Sequence, residues 1–240
     1  LYRACSVNHM VIIAEGSALK STFADALTLF FCEASGIMRS QKKPCIAYGV
    51  EAGYMDGFLR RNVASLCKDT YFIARTEASM DILKSLKLKG KAGTDTAWFY
   101  DGAISDEAAR AWLLENGWDG VKPCIGVAVI DPFCWPVRAS AVKWIRSRVT
   151  GDTRDLYDKW YFFSRSPKRS GDYEIYLNGI ASALNRFCKE KDAFAVVVGM
   201  EKLDSDACRR LKEKLDAPCT FLLSSDNSAD IMTGVLRQMT

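Results

Sequence analysis

The sequence is poor in the residues and motifs that carry metal and dinucleotide chemistry. His9 is the only histidine, and the nine cysteines include no C-x-x-C pair, which argues against a structural zinc site. No G-x-G-x-x-G follows a predicted strand, so a dinucleotide-dependent oxidoreductase is not expected. His9 opens a predicted strand, away from the end where ligands bind in open α/β sheets, and is not expected to act in catalysis. We predict no metal and no cofactor.

The chain also lacks long apolar runs and a strong excess of one charge. Its longest apolar stretch is too short for a membrane-spanning helix. The 33 basic residues are scattered among 29 acidic ones, with a net charge of +4, which argues against a nucleic-acid partner. The start has neither a signal peptide nor an initiating methionine, so we interpret the chain as a fragment of a longer protein. Dispersed cysteines in an odd number indicate reduced thiols and a cytoplasmic location.

What the sequence does contain is a regular alternation of short apolar runs and helical repeats. Strands are predicted at 9–14, 45–48, 71–74, 91–97, 124–130, 193–199 and 219–223, and helices at 23–38, 58–67, 77–88, 105–117, 137–149, 173–189, 203–215 and 229–240. This alternation is typical of doubly wound parallel sheets. We therefore predict an α/β fold with two Rossmann-like parallel-sheet units, residues 1–120 and 121–240, both incomplete in this fragment.

The most informative stretch is 70–86, where a buried strand turns directly into a helix. Thr76 can cap this helix with its hydroxyl, and Glu77 lies in the first turn, where a carboxylate is favoured by the helix dipole. Arg75 has no comparable structural role. At the carboxyl end of a buried strand, its guanidinium is well placed to hold a carboxylate or a phosphate. The alternative is that Arg75 pairs with Glu77 or with another carboxylate at the edge of the sheet.

Two other loops follow the carboxyl ends of predicted strands. The first contains Gly16 and Ser17, and the second contains Gly49 and Gly53 with Glu51 between them. Small residues let a ligand approach the backbone closely, although a Gly-Ser pair after a strand is also typical of a tight turn. Because the carboxyl ends of parallel strands meet at one edge of a sheet, the three loops should form a single crevice.

Two successive α/β units joined by a short linker at 121–123 describe the glycosyltransferase B architecture. Within it, the order of landmarks resembles the polysaccharide pyruvyl transferase family. The matching landmarks are Gly16-Ser17, the loop from Gly49 to Gly53, Arg75-x-x-x-Ser79, Thr94-Asp95, and the segment 225–228 with the apolar residues that follow it. The resemblance covers nearly the whole chain, and its specificity lies in the order of short motifs.

The chain departs from the family pattern at three places. Glu15-Gly16-Ser17 stands where the family usually has Gly-Gly-Gly, and Arg75-Thr76 stands where it has Arg-Asp or Arg-Glu, with Glu77 one place later. The Arg-x-His element that the family uses on the donor would lie beyond Thr240. We therefore do not expect this fragment to be active by itself.

The resemblance implies an enzyme that moves a pyruvyl group from phosphoenolpyruvate onto two hydroxyls of one sugar, in a glycan or lipid-linked saccharide. Arg75 would bind the anionic donor, and Glu51 would contact or deprotonate a sugar hydroxyl. Further substrate contacts would come from Gly16, Ser17, Gly49, Gly53 and Ser79. The alternatives are a nucleotide-sugar glycosyltransferase of the same architecture and a non-catalytic glycan-binding module. The acceptor sugar and a homo-oligomeric state are left open.

Overall fold

The structure is a computed structural model that describes residues 1–21, 25–133, 138–139, 141–151, 161–162, 167–201 and 203–239. The helices, in chain order, are α1 (Tyr2–Val7), α2 (Asp25–Ser40), α3 (Gly57–Leu66), α4 (Glu77–Ser85), α5 (Asp106–Glu115), α6 (Ala141–Thr150), α7 (Pro167–Lys191), α8 (Asp204–Lys212) and α9 (Ala229–Leu236). The strands are β1 (Val11–Leu19), β2 (Cys45–Ala52), β3 (Tyr71–Ala74), β4 (Lys89–Ala92), β5 (Cys124–Ala128), β6 (Arg138–Ala139), β7 (Tyr161–Phe162), β8 (Phe194–Gly199) and β9 (Cys219–Leu223).

The chain divides into two compact units. The first unit comprises residues 1–100 and 135–164, and the second comprises residues 101–134 and 165–240. Each contains its own parallel sheet, ordered β1-β2-β3-β4 in the first unit and β5-β8-β9 in the second. The predicted α/β class with two Rossmann-like parallel-sheet units is therefore confirmed.

The core of the first unit lies between its sheet and the helices α2, α3 and α4. Its largest fully buried side chains are Phe72 of β3, Met38 of α2, Leu59 of α3, and Met80 and Leu83 of α4. Leu59, Met80 and Leu83 lie on the faces that the helical repeats of the sequence predict, because residues three or four apart share one side of a helix. In α2 the repeat is misleading, since Leu27 and Phe30 belong to it but are about half exposed. Strand and helix packing in this unit brings the carboxyl ends of its parallel strands to one edge.

Strand β4 differs from its prediction. The strand runs from Lys89 to Ala92, and the last two residues of the segment predicted as strand begin a 3₁₀ turn, Thr96–Phe99. Lys89 and Lys91 are exposed on β4. Lysine is favoured on an edge strand, because it discourages pairing with another chain. The short polar strand carried no apolar run by which its ends could be recognised.

The second sheet carries helices on both faces. Val196 of β8 is buried in the same cluster as residues of α5 and α9, whereas the next residue, Val197, is buried with residues of α7 and α8. Successive side chains of a strand point to opposite faces, so the buried run in β8 requires cover on both sides. This is the doubly wound arrangement that the sequence predicted.

Helix α5 lies in the second unit, whereas the sequence analysis placed it in the first by dividing the chain at residue 120. Ala109 and Leu113 of α5 are fully buried in one cluster with Phe194 and Val196 of β8. The first boundary between the units consequently lies between residues 100 and 101, and residues 135–164, which the sequence analysis placed in the second unit, belong to the first. The helical pattern identified an apolar face on α5, but it carried no information on which sheet covers that face.

Among the helices of the described residues, none combines the length and the apolar character that a membrane span requires.

A matched pair of glycine substitutions tests the packing of β4 against β3. A Cβ added at Gly90 would overlap the backbone of Phe72, whereas one added at Gly179, on an exposed part of α7, would meet nothing within 4 Å. We expect Gly90→Ala to lower the free energy of unfolding by about 1–3 kcal/mol. Gly179→Ala should instead raise it by about 0.5–1 kcal/mol, since alanine favours helix. Urea denaturation measures both, and an unchanged stability of Gly90→Ala would contradict the close approach of the strands.

Candidate functional site

Five polar side chains meet at the carboxyl edge of the first sheet, and we call them the carboxyl-edge cluster. They are Ser17 of β1, Lys20 just after it, Glu51 of β2, Arg75 just after β3 and Asp95 after β4. The parallel order β1-β2-β3-β4 explains why residues so far apart in sequence converge. Ligands bind in open α/β sheets at this edge. The sequence analysis placed Gly16-Ser17 and Gly49–Glu51 in loops, but they belong to β1 and β2, which extend to Leu19 and Ala52.

Glu51 is the centre of the cluster. Its Oε2 accepts hydrogen bonds from Ser17 Oγ at 2.6 Å, Lys20 Nζ at 3.1 Å and Arg75 Nη2 at 2.5 Å. Burial raises the pKa of this carboxyl, but the hydrogen bonds from Ser17, Arg75 and Lys20 outweigh it and lower the pKa to about 2. Glu51 is therefore ionised at neutral pH. Within the described residues its Oε1 accepts no hydrogen bond, so this oxygen can accept one from a ligand.

Arg75 is held at the end of β3 by its backbone and by two carboxylates. Its backbone N–H donates to the carbonyl oxygen of Val50 at 3.0 Å. Nη1 donates to Asp95 Oδ2 at 3.0 Å, and Nη2 donates to Glu51 and to Ser17 Oγ, the latter at 3.2 Å. Burial lowers the pKa of the guanidinium, but the hydrogen bonds that it donates to Glu51 and Asp95 raise the pKa above its ordinary value. The side chain is 22% exposed, so a ligand can reach it.

The two interpretations of Arg75 left open by the sequence are thus partly resolved. Arg75 does pair with carboxylates at the sheet edge, and its partners are Glu51 and Asp95. Glu77 is exposed in the first turn of α4, next to the Thr76 cap that the sequence predicted. A guanidinium has five N–H donors, and the described contacts of Arg75 use three of them. Arg75 can therefore keep its ion pairs with Glu51 and Asp95 and still donate hydrogen bonds to an anionic ligand.

Lys20 and Asp95 complete the cluster, and sequence reasoning did not select them. Asp95 belongs to the Thr94-Asp95 landmark, and in the structure it caps the 3₁₀ turn, since its Oδ1 accepts a hydrogen bond from Ala97 N at 3.0 Å. Its second oxygen binds Arg75. Both residues follow the carboxyl end of a strand, which is the signal that could have found them. Lys20 was missed because β1 extends to Leu19, several residues beyond its predicted end.

The predicted glycines serve different purposes. Gly16 has φ +114°, and a Cβ there would meet nothing within 4 Å, so its backbone is open to an approaching group. Gly49 has φ +66° and lies where the pairing of β2 with β3 shifts register, which makes it part of a bulge. Gly53 lies against the Lys20 side chain, whose Cδ would be 3.2 Å from an added Cβ. Of the three, Gly16 is the one positioned for direct contact with a ligand.

Ser79 is not brought into the cluster. It is 2% exposed, and its hydroxyl bonds the backbone of Ala52 as both donor and acceptor, each at 3.2 Å. It also accepts a hydrogen bond from Thr76 Oγ1 at 2.9 Å. These contacts fix the start of α4 to the end of β2. Ser79 therefore supports the position of Glu51 and Arg75, and it is not exposed for substrate contact.

The charges of the cluster cancel. Lys20 and Arg75 carry two positive charges, and Glu51 and Asp95 carry two negative charges. Such an arrangement can donate to anionic oxygens and accept from hydroxyls in the same place, which suits a ligand that carries both kinds of group. In the part of the chain that the structure describes, no three metal-ligating side chains lie together.

Neither a scan against protein-family models nor a search of curated proteins gave a match to this chain.

The low pKa of Glu51 predicts a specific dependence of stability on pH. Because the pKa is lowered from 4.5 to about 2, its stabilisation is complete above pH 4.5 and is lost as the pH falls towards 2. Glu51→Gln should lower the pH-dependent part of the free energy of unfolding by about 1–2 kcal/mol. This is less than the whole pKa shift would give, because the carboxylate is partly exposed to solvent. Urea denaturation at pH 7 and at pH 2.5 measures the difference. Glu77→Gln is the matched control, and equal pH profiles for the two variants would contradict the assignment.

Proposed function

We propose that the protein transfers a pyruvyl group from phosphoenolpyruvate to a saccharide, on two Rossmann-like units in a glycosyltransferase B-like arrangement. The observation that carries the proposal is Arg75, a partly exposed guanidinium with unused donors at the carboxyl edge of a parallel sheet. An arginine at such an edge suits a carboxylate or a phosphate, and phosphoenolpyruvate carries both. The resemblance in the order of motifs points to the same reaction.

Donor binding would use the two N–H groups of Arg75 that the described contacts leave available. Lys20 Nζ lies 3.1 Å from the same Glu51 oxygen that Arg75 contacts, so a second cation stands beside the guanidinium. The cluster without donor is neutral, and Glu51 and Asp95 hold Arg75 in place at no net charge. A bound donor anion would then add negative charge next to two cations, which favours binding through short charge-assisted hydrogen bonds.

The reaction forms two carbon–oxygen bonds at the central carbon of the donor, one by addition and one by replacement of phosphate. One sugar hydroxyl adds to this carbon while the methylene carbon gains a proton. The second hydroxyl then replaces phosphate, whose departure carries away the remaining proton, and a cyclic ketal results. Two hydroxyls and one phosphoenolpyruvate thus give one ketal and one phosphate, with no oxidant or reductant.

Glu51 suits the acceptor side of this reaction. Its Oε1 accepts no hydrogen bond within the described residues, so it can orient a sugar hydroxyl. A general base works best when its pKa is near the operating pH, and the pKa of Glu51 is about 2. We therefore assign Glu51 the task of orienting the hydroxyl rather than that of removing its proton.

A cytoplasmic location is part of the proposal. All eight cysteines within the described residues are free thiols, and seven of them are buried. Thiols persist in a reducing compartment, which supports the location.

A non-catalytic glycan-binding module is the second candidate. The observation that favours it is the neutral charge of the cluster, because Glu51 and Asp95 already form ion pairs with Arg75. Binding of glycans without turnover in the full-length protein would select this candidate. Competition by a nucleoside diphosphate, with none by phosphoenolpyruvate, would instead select a nucleotide-sugar glycosyltransferase.

Release of inorganic phosphate from phosphoenolpyruvate by the full-length protein tests the proposal. The acceptors are galactose- and N-acetylmannosamine-ended glycans, and release should depend on one of them. Arg75→Ala should weaken donor binding about 10- to 100-fold, the effect of losing hydrogen bonds to a charged ligand. Arg75→Lys should recover only part of this loss, because an ammonium lacks the planar fork of the guanidinium.

Arg39→Ala is the matched control, because Arg39 also pairs with a carboxylate, that of Asp69, at an exposed position. It should leave phosphate release unchanged. An unaltered donor affinity in folded Arg75→Ala protein would overturn the assignment of Arg75. Absence of phosphate release with every acceptor, from folded protein, would overturn pyruvyl transfer.

A further inference from the structure

Large aromatic side chains are exposed on the segments that follow the carboxyl ends of β2 and β4. Tyr54 is 76% exposed and Trp98 is 82% exposed. Phe58 and Phe99, close to them in sequence, are also exposed. A side chain as exposed as Trp98 contributes little to the packing of the fold. Exposed aromatic surface at a ligand-binding edge is characteristic of recognition sites.

Tyr54 and Trp98 are fixed to the cluster through their backbones. The carbonyl oxygen of Tyr54 accepts a hydrogen bond from Ser21 N at 2.9 Å, and the preceding Gly53 lies against the Lys20 side chain. Trp98 N donates to the carbonyl oxygen of Asp95 at 3.2 Å, within the 3₁₀ turn that Asp95 caps. Each aromatic residue is therefore tied to the segment that carries one charged member of the cluster.

The sheet order sets the spacing of the two aromatic residues. Tyr54 follows β2 and Trp98 follows β4, with β3 and Arg75 between them. Neighbouring strands are about 4.8 Å apart, so β2 and β4 are separated by about 10 Å. The backbones of the two aromatic residues thus lie on either side of Arg75, and Glu51 lies on β2, the strand that leads to Tyr54. Arg75 and Glu51 provide a donor and an acceptor of hydrogen bonds. Apolar surface on both sides of such groups matches a sugar, whose C–H faces are apolar and whose rim carries hydroxyls.

We propose that Trp98 and Tyr54 form the subsite for the acceptor saccharide. That the bound sugar is the acceptor of the reaction rests on the proposed function. A sugar ring packs against these aromatic side chains and presents a hydroxyl to Glu51 Oε1. The phosphoenolpyruvate donor binds to Arg75, between the two aromatic residues. Trp98 and Tyr54 therefore determine affinity for the saccharide and leave affinity for phosphoenolpyruvate unchanged.

The test measures binding of galactose- and N-acetylmannosamine-ended oligosaccharides to the full-length protein without donor, by titration calorimetry or saturation-transfer NMR. Trp98→Ala should weaken binding about tenfold, as expected for losing part of the apolar contact of an indole. Tyr54→Ala should act in the same direction. Trp98→Phe should retain most of the binding, because it keeps an aromatic face. Tyr2→Ala is the matched control, since Tyr2 is 67% exposed but lies in α1, before the amino end of β1.

The outcomes separate this inference from the proposed function. Saccharide binding that depends on Trp98, in a protein that releases no phosphate, supports the subsite and overturns pyruvyl transfer. Glycan-dependent phosphate release that is insensitive to both Trp98→Ala and Tyr54→Ala supports pyruvyl transfer and overturns the subsite. Absence of saccharide binding to the folded protein, or capture of a protein partner through Trp98 in its place, also overturns the subsite.

Discussion

The parallel alignment of β1 to β4 is the constraint on which the candidate site depends. Parallel strands bring their carboxyl ends to one edge, and there Ser17, Glu51 and Arg75 lie within hydrogen-bond distance although they are up to 58 residues apart. The bulge at Gly49 and the open backbone at Gly16 adjust the ends of β1 and β2 at this edge. Hydrogen bonds between Ser79 and Ala52 also hold the start of α4 against the end of β2.

The ion pairs at this edge balance two requirements. A partly buried charge is costly without a partner, so Arg75 needs Glu51 and Asp95 to remain ordered when no ligand is bound. If Arg75 and Glu51 were fully buried, no ligand could reach them, but the Arg75 side chain is 22% exposed and the Glu51 side chain is 31% exposed. The cluster is therefore preorganised and still accessible. Preorganised charge of this kind suits a site that binds an anion and hydroxyls together.

The donor and acceptor proposals use different parts of one edge. In the proposed function, Arg75 and Lys20 would supply the cations for an anionic donor, whereas Tyr54 and Trp98 would supply apolar surface for a sugar. Glu51 lies between the two, since it contacts both cations through Oε2 and keeps Oε1 for a hydroxyl. This division explains why substitutions at the cations and at the aromatic residues should have separate effects on the two ligands.

The sequence by itself determined the alternation of strands and helices, the buried faces of α3 and α4, the Thr76 cap and the choice of Arg75, because these follow from local periodicity and from position at a strand end. Only the tertiary structure decided the partners of Arg75, the burial of Ser79, the inclusion of Lys20 and Asp95, and the unit to which α5 belongs. Those outcomes depend on which distant segments the sheet places side by side. A sequence pattern marks an apolar face or a charged side chain, but the group that meets it is set by packing across the fold.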